Sequence, residues 1–487
     1  MREGGTVREG REGIPRCDER ETLFARRDLH HRFGPASDPF RDYYRLHPEH
    51  RAFDETIAAS PPLGFTGADD APMFDAAFDT IRKIAGESFV DGPPAEKRID
   101  MTPERAAEKV KAFALHLGAK RAGAGPLRPE WTYSHVGRSF GDPEDFAPWG
   151  EPVDLSAHPH AVSFLVPMDE TLLRSAPEFP VLLATSRAYA DAAWIAVQLA
   201  EYIRGLGWSA RAHHLYNYRA LVVPVAVDCG LGELSRAGFL LNRDLGHGCR
   251  IGLVTTALPL AHDPPAGGGI RSFCRRCRIC ADRCPSGAIP KGEETLWNGV
   301  RKWKLDEERC YRYWFRNGTD CGICIATCPW TKPDNVLHRV LARFASIPGP
   351  HQRWMAWADR LFYGKHRPDR PPAYLDRREE GGGKKKGTAR RAAFPAPSGG
   401  AIAASLAAFL LPGLWAAREW TAARGFSLGP AGWALAAAWL LWTGTGAAVV
   451  LLFASERAGR AARIAAALFG LPAAATLFLA LRAAGAF

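Results

Sequence analysis

The N-terminal part of the chain contains no long apolar run. The pair Arg26-Arg27 matches the start of a twin-arginine export signal, but the following segment, DLHHRFGPASDPFRDYY, lacks the apolar stretch that such a signal requires. No other signal peptide is visible near this end. We therefore expect that the chain is not exported and that its folded part faces the cytoplasm.

Nucleic-acid-binding motifs are also absent, although the formal net charge is +11. Part of the positive excess is concentrated in DRREEGGGKKKGTARR, residues 376–391, directly before an apolar region. A basic run in this position is better explained by the positive-inside rule and by anionic lipid than by DNA. We predict membrane lipid as a partner and expect no nucleic acid.

Histidine is missing after His366, where the apolar residues are most concentrated. Three apolar segments occur there, at 401–417, 432–454 and 464–481. A transmembrane helix needs about 20 such residues, so we predict three spans, the first rather short. High Ala, Leu and Trp content without internal charge disfavours a buried soluble hairpin. Without histidine these spans cannot ligate haem through that residue, and they are typical of an anchor.

Basic residues flank these segments unevenly. The run at 376–391 precedes the first segment, and Arg457, Arg460 and Arg463 follow the second, whereas the loop between them has only Arg418 and Arg424, with Glu419. The positive-inside rule therefore predicts an inner-membrane protein with its large N-terminal part in the cytoplasm and its C-terminus outside.

Cysteine, in contrast, is concentrated in one stretch, and its spacing there predicts a metal-cluster site. Eight of the eleven cysteines lie between Cys274 and Cys328, in CRRCRICADRCP, then Cys310, then CGICIATCP. The first half has the C-x2-C-x2-C-x3-C-P spacing of bacterial ferredoxins, in which the cysteine before each proline ligates the other [4Fe–4S] cluster. The predicted ligands are Cys274, Cys277, Cys280 and Cys328 for cluster 1, and Cys284, Cys310, Cys321 and Cys324 for cluster 2.

Zinc and disulfides are the alternative uses of such cysteines. Zinc sites favour two separated C-x2-C pairs, and disulfides suit small secreted domains. Neither explains two C-P endings. The remaining Cys17, Cys229 and Cys249 lie outside any cluster spacing, and reduced, oxygen-sensitive centres indicate a reducing compartment.

Helices alternating with apolar strands predict an α/β core with a central sheet. DMTPERAAEKVKAFALHLGA is a helical pattern with Thr102 as N-cap, HAVSFLVPM and CRIGLVTTALPL are strand patterns, and WSARAHH is a further strand. YRALVVPVAVDCG is interpreted as a short helix, and SRAYADAAWIAVQLAEYIRGLG as a helix with Ser186 as N-cap and Gly205 as its stop.

We divide the chain into six parts. They are a disordered N-terminus (1–39), an α/β domain (40–265, irregular over 40–92), a ferredoxin-like domain with two [4Fe–4S] clusters (266–340), an extension (341–375), a basic Gly/Lys linker (376–400) and a membrane anchor with three transmembrane helices (401–487).

An ordered series of segments between Asp100 and Pro333 resembles corrinoid-dependent reductive dehalogenases. It consists of YADAAWIAVQLAEYIRGLGW, VPVAVDCGLGELSRAGFLLN, GHGCRIGLVTTALPL and CYRYWFRNGTDCGICIATCPW, with HPEHRAFDE similar to the family's N-terminal region. The resemblance implies a nitroreductase-like core of α/β (α+β) class joined to a ferredoxin-like domain, and a base-off cobalamin. It also implies that the α/β domain at 40–265 is the corrinoid- and substrate-binding domain. The D-x-H-x-x-G motif of proteins that supply a histidine to cobalt is absent from the sequence. This absence is expected, because the family is thought to hold the corrinoid through backbone and pocket contacts.

The resemblance also implies roles for three residues. By motif position, Tyr189 is the proton donor, Arg250 is the cation that tunes its acidity, and Asn217 lines the substrate pocket. A phenol has an ordinary pKa of about 10, so it is a poor acid at neutrality unless a cation stabilises the phenolate. His213 and His214 compete with Asn217 as polar pocket groups.

Several features depart from the family pattern. Respiratory members carry a twin-arginine signal and use a separate three-span membrane protein, whereas here export is missing and three spans are fused to the chain. Ala257 stands where the family commonly has an acidic residue. These departures put the electron donor, whether ferredoxin, flavoprotein or quinol-linked, in question.

The expected function is reductive dehalogenation of an organohalide in an anchored, cytoplasm-facing enzyme. An epoxyqueuosine-type reductase acting on tRNA shares the corrinoid core and paired clusters, and a basic, RNA-sized face around the pocket would favour it. A membrane-bound ferredoxin-like electron carrier is the non-enzymatic alternative, which a pocket filled by side chains would favour.

Overall fold

The structure is a computed structural model that describes residues 14–61, 63, 71–138, 148–267 and 269–375. The basic linker and the three predicted spans lie outside the described residues. Within the described part, no helix combines the length and the apolarity needed to cross a bilayer.

The N-terminal segment is helical, which corrects two predictions. The stretch predicted to be disordered is folded from residue 14, and the stretch predicted to be irregular contains well-defined helices. The helices are α1 (Leu23–Asp28), α2 (Asp38–Leu46), α3 (Pro48–Ala58), α4 (Ala71–Lys83) and α5 (Glu87–Val90), with a π-helical turn at Leu29–Phe33 and a 3-10 turn at Glu19–Glu21. Side chains of Thr22 and Ser37 cap α1 and α2 by accepting backbone N–H groups.

A four-stranded antiparallel sheet forms the centre of the molecule. Its strands are β1 (Arg121–Pro126), β2 (His160–Pro167), β3 (Ala210–His213) and β6 (Cys249–Thr256), in the order β1-β2-β6-β3. The register pairs Val162 with Val254 in the middle of the sheet. The apolar runs predicted β2, β3 and β6 correctly, but β1 was missed.

Strand β1 escaped prediction because its sequence, RAGAGP, has no β-branched residue. Its glycines are required by packing, since a Cβ on Gly123 would collide with the carbonyl oxygen of Cys229. The backbone that approaches so closely follows α9 (Val222–Asp228). Gly123 therefore lets the end of α9 lie directly on the sheet.

Helices cover both faces of the sheet. On one face lie α6 (Pro103–His116) and α8 (Pro180–Gly205), with α7 (Glu170–Leu173) before α8. On the other face lies α9, against which β4 (Glu233–Leu234) and β5 (Leu240–Leu241) form a small ribbon. Thr102 caps α6 as predicted. Ser186 is not the N-cap of α8, because the helix begins at Pro180 and the Ser186 hydroxyl donates to Leu183 O.

The cysteine-rich segment forms short helices around a hairpin. The elements are α10 (Gly269–Cys277), α11 (Ile279–Arg283), β7 (Thr295–Trp297), β8 (Val300–Lys302), α12 (Glu307–Asn317) and α13 (Ile323–Ala326). Two further helices follow, α14 (Val336–Ala345) and α15 (His351–Tyr363), which pack on α10 through a buried cluster that includes Ile270, Ala345 and Ala356.

Candidate active site

The first cysteine group lies between α10, α11 and the segment after α13. The structure brings together the four residues predicted for cluster 1, and they line one small cavity with Arg236, His247, Phe273 and Trp330: Cys274, Cys277, Cys280 and Cys328. Burial raises the pKa of the Cys274 thiol to about 11, and burial together with the neighbouring Cys274 and Cys277 raises the pKa of the Cys280 thiol. Four thiolates at such a site need a bound cationic centre to compensate their charge.

The second cysteine group lines a much larger cavity. Its members are those predicted for cluster 2: Cys284, Cys310, Cys321 and Cys324. Gly322, between two of them, has φ of 62°, and a Cβ there would lie 2.6 Å from Val181 Cγ1 on α8. A glycine is therefore needed for the loop to turn and to approach the core at the same time. Cys280 of the first group and Cys284 and Cys324 of the second pack against the same buried cluster, so the two groups are neighbours.

The larger cavity is a chamber of about 800 Å³ between the α/β core and the cysteine-rich segment. Its volume is toward the upper end of the usual range for small-molecule sites, roughly 300–1,000 Å³. Aromatic and aliphatic side chains supply most of its wall, among them Phe24, Tyr218, Val223 and Phe239. Tyr189 and Arg250 also face the chamber, and other charged side chains such as Arg138 and Asp320 line it as well. The chamber is therefore apolar over most of its wall but also has charged groups.

Tyr189 and Arg250 lie against each other, as the sequence predicts. Arg250 Cζ lies 4.9 Å from the centre of the Tyr189 ring, a cation–π distance. Tyr189 is on α8 and Arg250 is on β6, so two elements of the rigid core position the pair. The cation is thus held beside the phenol by the scaffold of the sheet and helix.

Thr185 connects this pair to the second cysteine group. Its hydroxyl donates to Asp320 Oδ2 at 2.7 Å and accepts from Arg250 Nη2 at 2.9 Å. Burial raises the pKa of Asp320, while the Thr185 hydrogen bond and the charge of Arg250 lower it. Asp320 directly precedes Cys321, so a chain of hydrogen bonds runs from the cysteine loop to the cation beside Tyr189.

Two polar atoms at this site have no hydrogen-bond partner within the described part of the chain. They are Arg250 Nε and Asp320 Oδ1, both fully buried. A buried donor and acceptor of this kind are costly unless a bound molecule or water satisfies them. The polar end of the chamber is therefore suited to binding.

Asn217 does not reach the chamber, contrary to the prediction. Its amide is fully buried and its Nδ2 donates to Ala85 O and to Glu87 Oε1, while its Oδ1 accepts from Arg211 Nη2. With every hydrogen-bonding atom engaged, it has nothing to offer a substrate. Its neighbours Tyr216 and Tyr218 face the chamber instead.

His213 and His214 are likewise structural. Both are buried, and neither lines the chamber. His213 Nε2 contacts Thr255 Oγ1 at 2.9 Å, and its Nδ1 accepts from the backbone N–H of Arg219. Burial lowers the pKa of His214 to about 4. These rings are therefore neutral parts of the core at physiological pH.

Three residues of the site escaped the sequence prediction. Thr185 is one helical turn before Tyr189, and Asp320 directly precedes a predicted cluster ligand, so both spacings carried a usable signal. His247 lines both cavities, with Nε2 at 2.8 Å from Ser235 Oγ. Its sequence context, GHGCRIG, gave no indication that it lies between the two cysteine groups.

Comparison with known proteins gives a consistent result. A 4Fe-4S dicluster domain matches residues 273–332. The tetrachloroethene reductive dehalogenase of Dehalobacter restrictus is 33% identical over 285 residues, which is 50% of this chain and 51% of that protein. The chain thus spans about half the length of the curated relatives it matches.

Solved structures agree with the sequence relatives. The catabolic reductive dehalogenase NpRdhA superposes with a TM-score of 0.60 and 26% identity, covering 74% of this chain and 48% of that one. The same protein is known in complex with 3-bromo-4-hydroxybenzoic acid, at a TM-score of 0.57. A further reductive dehalogenase structure, described as bearing on B12-dependent dehalogenation, has a TM-score of 0.58.

Proposed function

We propose that the chain is a member of the reductive dehalogenase family, to which it is similar over half of its length, and that it removes halide from a small, mainly apolar organohalide by reduction. The overall reaction takes two electrons and one proton, forms a carbon–hydrogen bond and releases halide. The observation that carries the proposal is the pairing of Tyr189 with Arg250 in a large chamber whose wall includes the second cysteine group.

The two cysteine groups are proposed to hold two [4Fe–4S] clusters. Cys274, Cys277, Cys280 and Cys328 would ligate cluster 1, and Cys284, Cys310, Cys321 and Cys324 would ligate cluster 2. Thiolate sets of this composition select iron–sulfur clusters. Only the second group lines the chamber, so we assign cluster 1 to electron entry and cluster 2 to delivery.

The chamber is proposed to hold the cobalamin. Three observations fit: its size, its largely apolar wall, and the presence of both the second cysteine group and Tyr189 in that wall. When bound, a corrinoid supplies the low-potential metal chemistry that carbon–halogen reduction requires. The site residues themselves then need only to orient the substrate, exclude water and supply the proton.

Tyr189 is proposed as the proton donor. Its hydroxyl would protonate the substrate carbon that loses the halide, and the guanidinium of Arg250 would stabilise the phenolate left behind. Thr185 and Asp320 hold that guanidinium in place. Bulk water or a chamber group would return the proton to the phenolate before the next turnover.

We also propose that the enzyme is attached to the cytoplasmic membrane. The basic run at 376–391 and the apolar segments at 401–417, 432–454 and 464–481 support this by composition and by their order along the chain. The electron donor is then a carrier that works at or near the membrane surface.

The test is the metal content of protein prepared without oxygen and reconstituted with cobalamin, followed by halide release from candidate organohalides. We expect about eight irons and one cobalt per chain for two [4Fe–4S] clusters and one corrinoid. Iron near eight without retained cobalt would contradict the dehalogenase proposal and favour an electron carrier.

Two variants sharpen the measurement. Cys284→Ser removes a proposed ligand of cluster 2, and its iron content is expected to fall to about half. Cys17→Ser is the matched control, because Cys17 is outside both groups, and its iron content is expected to equal that of the unchanged chain.

A further inference from the structure

Helices α14 and α15 expose an unusual number of large apolar side chains. Nine of the nineteen exposed large apolar residues in the described part of the chain lie between residues 340 and 363. They are Val340, Leu341, Phe344, Ile347, Trp354, Trp357, Leu361, Phe362 and Tyr363, and we call this set the apolar face. Exposed apolar side chains concentrated in this way mark an interaction site in a folded protein.

The apolar face follows helical spacing on both helices. Val340 and Phe344 are four residues apart on α14, and Trp354, Trp357 and Leu361 repeat at intervals of three and four on α15. The rings of Trp354 and Trp357 are 5.7 Å apart. Each helix therefore presents one apolar stripe to its surroundings.

The opposite side of the helix pair is firmly attached to the protein. Gln352 is fully buried and donates from Nε2 to Gly269 O and to Ala345 O, which joins α15 to both α10 and α14. Asp359 forms a largely buried ion pair with Lys332 at 3.1 Å. The outward direction of the apolar face is thus fixed by polar contacts that rotation of α15 would break.

Basic side chains border the apolar face. Arg343 and Arg353 are exposed on the two helices, and Lys365, Arg367 and Arg370 are exposed just after α15. The segment 334–375 has seven Lys or Arg residues against three Asp residues. Apolar stripes rich in aromatic rings and bordered by cations fit the interface of a bilayer that contains anionic lipid.

We propose that the apolar face of α14 and α15 lies on the surface of a membrane that contains anionic lipid. The occupant is lipid and not another protein, because the aromatic residues and the basic border together match headgroup chemistry. The position along the chain agrees: the described residues end at Leu375, and the basic run and the apolar segments follow directly. This contact is separate from the predicted spans and from the dehalogenation chemistry.

The test uses the full chain in vesicles that contain a phospholipid with a photoactivatable diazirine in its acyl chain. One vesicle set is phosphatidylcholine with phosphatidylglycerol, and the other is phosphatidylcholine alone. After illumination, cross-linked peptides are identified by mass spectrometry. We expect cross-links on the peptides that contain residues 340–347 and 354–363, with a yield at least about fivefold lower when phosphatidylglycerol is omitted.

Controls lie within the same molecule. Trp194 and Trp297 are 45% and 47% exposed, close to the 43% and 49% of Trp354 and Trp357, yet they lie elsewhere, and their peptides are expected to remain unlabelled. The double variant Trp357→Glu, Leu361→Glu is expected to lose most of the labelling on α15. It should keep the iron content and the halide release of the unchanged chain.

Three results would overturn the proposal. Cross-links confined to residues 401–487 would show that the apolar segments alone meet the lipid. Absence of lipid cross-links on the apolar face of a chain that remains monomeric would mean that another part of the chain covers this face. Loss of labelling together with a concentration-dependent dimer would identify a second copy as the occupant.

Discussion

Tyr189 is the residue on which the proposed chemistry depends most directly. Tyr189→Phe keeps the ring that Arg250 contacts but removes the hydroxyl. We expect turnover to fall by about 10²-fold or more, as for loss of a general acid, with iron and cobalt content unchanged. The measurement is halide release under single-turnover conditions.

Tyr202→Phe is the matched control for this substitution. Tyr202 lies on the same helix, but it packs against Phe113 with ring centres 5.0 Å apart and does not line the chamber. Removing the hydroxyl of Tyr202 should therefore leave turnover unchanged. Full activity of Tyr189→Phe would remove Tyr189 as the acid.

Thr185 is a positioning residue, and its effect can be separated from a general loss of packing. Thr185→Val preserves shape but leaves Arg250 Nη2 and Asp320 Oδ2 without their shared partner. We expect kcat to fall by about tenfold, since a hydrogen bond to a charged group is lost, with a smaller change in KM. Thr185→Ser should restore kcat, and failure of this rescue would contradict the hydrogen-bonded role.

The site residues differ in how far sequence could predict them. Tyr189 and Arg250 follow from motif position, because the helix and the strand that carry them are strongly patterned. Asn217 could not be placed in this way, since its orientation is decided by Ala85, Glu87 and Arg211. Two of those partners are about 130 residues away along the chain, and no local pattern encodes them.

At the scale of elements, Glu87 ties α5 to the edge strand of the sheet. Its carboxylate accepts from Arg211 Nη1 at 2.6 Å and from Arg219 Nη2 at 2.9 Å. Burial alone would raise the pKa of Glu87, but the hydrogen bonds and charges of these arginines outweigh it and lower the pKa to about 2. The carboxylate is therefore stabilised in its charged form.

The lowered pKa predicts a pH-dependent contribution to stability. The contribution is complete above the ordinary pKa of 4.5 and is lost as the pH falls from there toward 2. At pH 7, Glu87→Gln should lower the free energy of unfolding by up to about 3 kcal/mol. The difference between the melting temperatures of the two proteins should stay nearly constant from pH 7 to about pH 4.5 and should shrink as the pH falls from there toward 2.

A control for Glu87 is available on α6. Glu108 pairs with Arg105 at the surface, and its side chain is 67% exposed. Glu108→Gln should change the melting temperature little at any pH, as is usual for exposed ion pairs. An equal effect of both substitutions would mean that the Glu87 network contributes nothing specific.

Elements were predictable where their residues are apolar and regularly spaced. Strands β2 and β6 and helix α6 were found because their buried positions repeat at the spacing of their structure. The sequence did not predict strand β1, because that strand is glycine-rich. It did not predict the N-terminal helices either, because their sequences, such as PEHRAFDETIA, are polar. Their stability comes from tertiary contacts, which the local sequence does not show.

At the scale of the whole molecule, charge asymmetry predicts the orientation in the membrane. Seven Lys or Arg residues lie in 376–391, before the first apolar segment, and such residues stay on the cytoplasmic side. We expect protease added to right-side-out vesicles to spare the folded part of the chain. In inverted vesicles the same protease should cleave within 376–391.

Neutralising lysines of the basic run tests whether its positive charge sets the orientation in the membrane. Replacing Lys384, Lys385 and Lys386 with Gln should increase the fraction of chains cleaved from the outside, whereas the same change at exposed Lys97, Lys109 and Lys120 should not. Cleavage of the unchanged chain from the outside would reverse the proposed orientation.

The N-terminal helices have a consequence for the order of assembly. Arg26 on α1 pairs with Glu308 at 3.0 Å, and Phe24 packs on Tyr311 with ring centres 5.4 Å apart, so α1 rests on α12. Arg26 and Glu308 are 282 positions apart. The helices that the ribosome makes first must therefore wait for α12, which carries Cys310. Because Phe24, Arg27 and Asp28 form part of the chamber wall, that part of the wall cannot be in place before α12 has been made.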